Sequence, residues 1–126
     1  MPVLTQDPTL GDLLKYELNA NYCRETVTLK SGTNFALGAV LGKLTADGKY
    51  TLSPASGADG SETAIAVLLE AVDATAADQT SLIAARGPVI ISKDRLVFDA
   101  SVDQAAEITA KHEQLAAAGI VARDTA

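Results

Sequence analysis

Short β-branched and apolar runs separated by turn residues fill the chain between Arg24 and Phe98, and this pattern constrains the fold more than any other feature. Residues 24–30 alternate, with Glu25, Val27 and Leu29 on one face and Arg24, Thr26, Thr28 and Lys30 on the other. A period of two with β-branched residues specifies a strand exposed on one side. Residues 38–44 form an apolar run punctuated by Gly38 and Gly42, and glycine within a strand pattern marks a bulge, a bend or close backbone packing. Asp47-Gly48 supplies a tight turn, so 40–45 and 49–52 are expected to pair as a hairpin. The polar, glycine-rich stretch 54–61 reads as a surface loop, and 63–69 as a core strand. The apolar stretch 81–92 is broken at Arg86-Gly87-Pro88. Proline lacks an N–H, so its strand should lie at a sheet edge or begin there. Residues 95–98 are expected to close the sheet.

The periodicity changes near the C-terminus, where a helix is expected over about 102–118. Ser101 with Gln104 three residues later has the spacing of a capping box. Gly119 fits the left-handed position after the helix, from which Ile120 can touch Leu115. Ala105, Ile108 and Leu115, with His112 and Ala116 more weakly, form its apolar stripe. Residues 123–126 read as a polar tail. At the other end, Pro2, Pro8, Gly11 and Asn19-Ala20-Asn21 deny residues 1–22 more than one helical turn near 13–18. Leu10, Leu13, Leu14, Tyr16 and Leu18 are nevertheless too apolar for an idle tail, which suggests a segment that orders on a partner. The alternative is that it wraps its own domain. The expected organisation is an arm over 1–22 and one domain over 23–126, mainly β with a C-terminal helix, in the α+β class.

A chain of 126 residues can bury a core without disulfides or metal. Apolar residues make up 48% of it but aromatics only 4%, without tryptophan, so Val, Leu, Ile and Ala must fill that core. Sixteen acidic against ten basic residues give a net charge of -6 with no basic cluster, which argues against nucleic acid as a partner. Asp7, Asp12 and Glu17 stand where a secretory signal would need a basic start and an apolar run. No apolar stretch approaches the roughly 20 residues of a membrane span, so a soluble cytosolic product and no membrane partner are expected. The single Cys23 has no disulfide partner, and no Cys/His set suits zinc.

Chemistry is sparse. The stretch from Gly38 to Lys43 superficially suggests a phosphate loop, but three residues rather than four separate its glycines and Leu44 follows the lysine. His112 lies in the alanine-rich helix away from any Ser or Cys nucleophile and reads as a helix-boundary side chain. Cys23, between Tyr22 and Arg24, reads as a packing residue or a free thiol. Asp47, Asp59, Asp73, Asp78 and Asp94 fall in turns, with no calcium-loop spacing. No catalytic residue, metal ligand or cofactor is implied.

In order along the chain, residues 24–27, 38–46, 48–50, 58–61, 66–70, 72–75, Arg86-Gly87 and 114–123 resemble the bacteriophage head decoration protein D family. The resemblance runs from about Leu10 to Arg123. It implies a non-enzymatic β-clip-like small barrel or sandwich with an extended N-terminal arm. It further implies homotrimers bound to the major capsid protein at local three-fold positions outside the expanded head, stabilising the virion against internal DNA pressure after synthesis in the host cytoplasm. The expected capsid-binding residues are Leu10, Leu13, Leu14, Tyr16 and Leu18, together with Arg24, Thr26 and Thr28 on the polar face of the next strand. One departure is Phe98-Asp99-Ala100, where an aromatic-proline step would be expected. Extended arms can add strands to neighbouring sheet edges, and three arms per trimer raise the effective concentration of later contacts. The rival from another class is a small biotinyl- or lipoyl-like carrier, or a ligand-binding β-barrel module. A carrier of that kind would present Lys93 at a turn.

Overall fold

A computed structural model describes residues 10–124 of the chain. The first nine residues of the expected arm, and 125–126 of the expected tail, lie outside the described residues. The elements in order are α1 (Leu10–Leu13), β1 (Leu14–Glu17), α2 (Ala20–Cys23), β2 (Arg24–Leu29), β3 (Asn34–Phe35), β4 (Val40–Lys43) and β5 (Tyr50–Leu52). They continue with β6 (Ala66–Leu68), β7 (Val72–Asp73), β8 (Gln79–Ala84), β9 (Val89–Ser92), a 3-10 turn at Lys93–Arg95, α3 (Ala105–Ala117) and β10 (Ile120–Arg123). The molecule is mainly β with one long C-terminal helix, as the sequence pattern requires.

Five strands follow the order β2-β5-β4-β6-β8, and β8 returns to β2. The expected hairpin is present, with β4 and β5 antiparallel from Lys43–Tyr50 to Leu41–Leu52. The β2–β8 joint runs from Arg24–Ala84 to Leu29–Gln79, whereas β2 meets β5 at the single parallel pair Leu29–Tyr50. The sheet therefore curls on itself with a strong seam on one side of β2 and a weak one on the other. Its inner face holds Leu29, Phe35, Leu41, Ala66, Leu68 and Ile83. Its outer face supplies Val40, Val67 and Ala84 to a second cluster with Leu13, Val89, Ile91, Leu115 and Ile120. Strands β4, β6 and the end of β8 are thus covered on both sides, which is why 64–69 is an unbroken apolar run and not an alternating one.

Gly42 shows why that run needs a glycine beside it. A Cβ there would stand 2.1 Å from the Ser61 carbonyl oxygen, so the 54–61 loop folds back onto β4 only because no side chain intervenes.

Several expectations are corrected. In place of one helical turn near 13–18, a short helix is followed at once by a strand, because β9 offers Leu14–Glu17 a pairing edge. Residues 95–98 do not close the sheet and make only an isolated bridge from Val97 to Ala39. The expectation for Pro88 is met in its second form, since β9 begins at Val89 directly after the proline and is the central strand of the order β1-β9-β10. The polar tail starts later than expected, since Ile120–Arg123 pairs with β9 in parallel. Ser101 is not the helix cap. Its hydroxyl donates to Asp99 and accepts from the Ala55 N–H at 2.9 Å, and the helix begins three residues after the expected start of 102. The capping carboxylate is Glu107, whose Oε1 accepts from the Gln104 N–H at 3.1 Å. The stripe is also rotated: Ala105 and Ala116 are exposed, and Lys111 occupies a core-facing position because three oxygens await its ammonium.

The helix stop matches its expectation. Gly119 has φ +85°, and its N–H donates to the Ala116 carbonyl. Ile120 and Leu115 join one buried cluster.

Leu68→Ala should cost about 2–5 kcal/mol in urea unfolding, since the side chain is fully buried. Gly119→Val should cost at least about 1 kcal/mol by the same measurement, because a β-branched residue resists positive φ. Its Cβ would also lie 2.9 Å from Gly87 Cα.

Candidate functional site

The three-stranded sheet has one face in the core and one in solvent. Val89, Ile91 and Ile120 point inward and are fully buried. On β1 the register shifts between Leu14, opposite Ile91, and Tyr16, opposite Ile90. This bulge at Lys15 breaks the alternation of Leu14, Tyr16 and Leu18 that the sequence suggests. Leu14 turns into the core with Leu10 and the fully buried Leu13, whereas Tyr16 and Leu18 face out, 46% and 59% exposed. Val121, on β10, also pairs with Ile90 and is 42% exposed. Tyr16, Ile90 and Val121 therefore lie side by side in one row across three strands. Leu18 extends the row, its N–H donating to the Pro88 carbonyl at 3.1 Å.

Glu17 ends β1 against Arg24, which donates from Nε at 3.0 Å and from Nη2 at 2.6 Å. That fork fixes β1 to the start of β2 and raises the guanidinium pKa, chiefly through the Glu17 hydrogen bond. Arg24 is thus occupied in joining the two sheets. Thr26 is exposed and Thr28 half-buried on β2. Lys30 donates its N–H to Tyr50 and the Cys23 carbonyl accepts from Ala85, so alternation directs the main-chain groups of Thr26 away from β8, toward the side where β5 has diverged. The shallow groove beside it is lined by Glu25–Thr28, Lys43 and Asp47–Tyr50. Its rim carries paired charges. Lys49 holds the Asp78 carboxyl below the ordinary aspartate range by hydrogen bonding, and the Lys49 N–H does the same for Asp47. The expected binding residues therefore divide among three places: Leu10, Leu13 and Leu14 against the core, Tyr16 and Leu18 on one sheet face, and Arg24, Thr26 and Thr28 along β2.

Polar chemistry elsewhere is structural. Lys111 is 1% exposed and donates to Ser53 Oγ at 2.9 Å and to the Pro54 and Glu62 carbonyls at 2.6 Å each. Burial pushes its pKa below the usual lysine value. The side chain pins α3 to both ends of the 54–61 loop. His112 packs against Phe98 with ring centroids 6.0 Å apart, and burial, assisted by Lys93, lowers its pKa toward the neutral form. Cys23 is fully buried, as a packing residue. Asp47, Asp59 and Asp73 each accept from a backbone N–H two residues on, the turn role their positions imply. Lys93 stands in the 3-10 turn after β9 and not at a hairpin tip, so it lacks the presentation a carrier lysine needs. Among the described residues, no three His, Cys, Asp or Glu side chains gather as a metal site, and no helix is long and apolar enough to cross a membrane.

The family model of bacteriophage lambda head decoration protein D matches residues 3–120. The chain belongs to that family. No curated protein matches it individually. Head decoration proteins of this family are structural capsid components of phage heads and not enzymes. Sequence reasoning missed Ile90 and Val121. The signal for Val121 was present, since Ile120-Val121-Ala122 follows a helix-ending glycine with β-forming residues, but it reads equally as an exit loop.

Lys111→Met keeps the side-chain length and removes the donor, leaving the Pro54 and Glu62 carbonyls without their ammonium partner. It should lower stability by about 1–3 kcal/mol in denaturant titration.

Proposed function

We propose that this head decoration protein binds as homotrimers to the major capsid protein, at local three-fold positions on the outer surface of the expanded head, and stabilises the shell against internal DNA pressure. The observation that carries this reading is the family match over nearly the whole chain. The fold is compatible with the role: a small, acidic molecule with a doubly covered core, whose available surfaces are a sheet face and a strand edge. Cement of this kind works by multiplicity. Each contact can be weak, because once one subunit of a trimer is seated the others bind at high effective concentration.

Within this reading the N-terminal segment is the capsid-binding arm, with Tyr16 and Leu18 on its domain-proximal end and Thr26 and Thr28 on the adjoining strand. Leu13 and Leu14 act differently, anchoring the arm's root through their burial. Deleting residues 2–9 should leave the melting temperature near wild type and abolish binding to heads. Extending the deletion to residue 20 removes Leu13 and β1 and should destabilise the domain itself. Sedimentation with undecorated expanded heads, followed by quantitation of bound chains, tests the whole proposal. Saturation at a multiple of three per binding position is expected. Saturation at another stoichiometry, or equal binding to unexpanded heads, would contradict it.

A further inference from the structure

We infer that the outer face of the β1-β9-β10 sheet, centred on the Tyr16–Ile90–Val121 row, is a surface that this protein lays against the capsid. The inference rests on the decoration reading above and assigns to it residues that lie more than 100 positions apart in sequence. Three observations carry it.

The first is the face itself. The bulge at Lys15 turns Tyr16 outward, and the registers of β9 with both neighbours bring Ile90 and Val121 alongside it. With Leu18 beyond, three of the four side chains are more than two-fifths exposed, on a sheet whose opposite face packs into the core. A contiguous apolar strip on an exposed sheet face marks an interaction site.

The second is its size. A fully buried aromatic covers about 150–250 Å². One aromatic and three smaller aliphatic side chains, three of them about half exposed, thus offer on the order of 300 Å², well short of the ~800 Å² per partner that a stable protein pair buries. Such a face does not hold two free copies together by itself. It suits a partner that presents the same small contact repeatedly, as a shell of identical subunits does.

The third is position. Helix α1 runs directly into β1 and contacts β9, so the nine residues that precede α1 start from the side of this same sheet. Fully extended they span at most about 30 Å, at 3.3–3.6 Å per residue. The arm proposed above therefore joins the domain at the sheet that carries this face.

Val121 is the residue to test, because it lies on β10, far along the chain from the arm, and its exposure lets it change without disturbing the core. A thiol placed there by Val121→Cys should react readily with a maleimide in free protein, against little background from the buried Cys23. On expanded heads the labelling should slow by about tenfold or more. Val121→Glu should weaken binding to the same heads by about tenfold or more, with melting temperature and oligomeric state unchanged. Equal labelling of the cysteine variant on and off heads, or wild-type binding by the glutamate variant, overturns the inference. So does protection of the thiol in free protein, which would mean that a second copy or the chain's own first nine residues cover the face. Wild-type protein that fails to bind heads at all would instead sink the decoration reading, and that arm of the experiment is scored separately.

Discussion

The fold depends on burying β4, β6 and the end of β8 on both sides. Ala66 and Leu68 point into the curl of the five-stranded sheet, and Val67 between them points to the helix and the three-stranded sheet. A strand in that position can carry neither an alternating polar pattern nor an exposed edge, so the other elements are arranged as its covers. Helix α3 is held over it by two polar links. Gln114 Oε1 accepts from the Ala64 N–H at 2.8 Å, and Lys111 reaches the loop ends around it. Placing a lysine there costs desolvation, and three well-placed oxygens offset it.

From this constraint follows the division of the N-terminal region. The outer cluster needs apolar side chains from outside the five-stranded sheet, and Leu13 is among those that fill it. Once Leu13 and Leu14 are drawn inward, the strand that follows must bulge for Glu17 to reach Arg24 while pairing with β9. The same displacement leaves Tyr16 and Leu18 outside. A local irregularity in one strand thereby sorts one apolar run into core and surface.

The seam between β2 and β5 is weak. Only Leu29 and Tyr50 pair there, and beyond them the ion pairs Lys30–Asp47 and Lys49–Asp78 tether the hairpin turn beside the end of β2. Small sheets that curl without fully sealing leave main-chain groups facing solvent, and proteins that assemble use such edges where solitary ones must protect them. Thr26 and its neighbours lie along this edge, on the strand whose alternating sequence placed them on a polar face.

Much of the β architecture was legible in the sequence, because the cues were local. Asp47-Gly48 specified the hairpin, the apolar run at 63–69 a core strand, and Gly119 the helix stop. The helix start was misplaced since Ser101 and Glu107 offer competing caps, and the loop at Ala55 claims the serine hydroxyl. Lys111 and the Tyr16–Ile90–Val121 row were not legible at all. A buried lysine is acceptable only where distant carbonyls converge on it, and a row across three strands exists only when register, bulge and parallel pairing bring three separate segments together. Turns, periodicity and chain composition act over a few residues and are written in the sequence itself. Which apolar side chains end inside and which remain on the surface was decided only by tertiary packing, because burial is a property of what covers a residue and not of the residue alone.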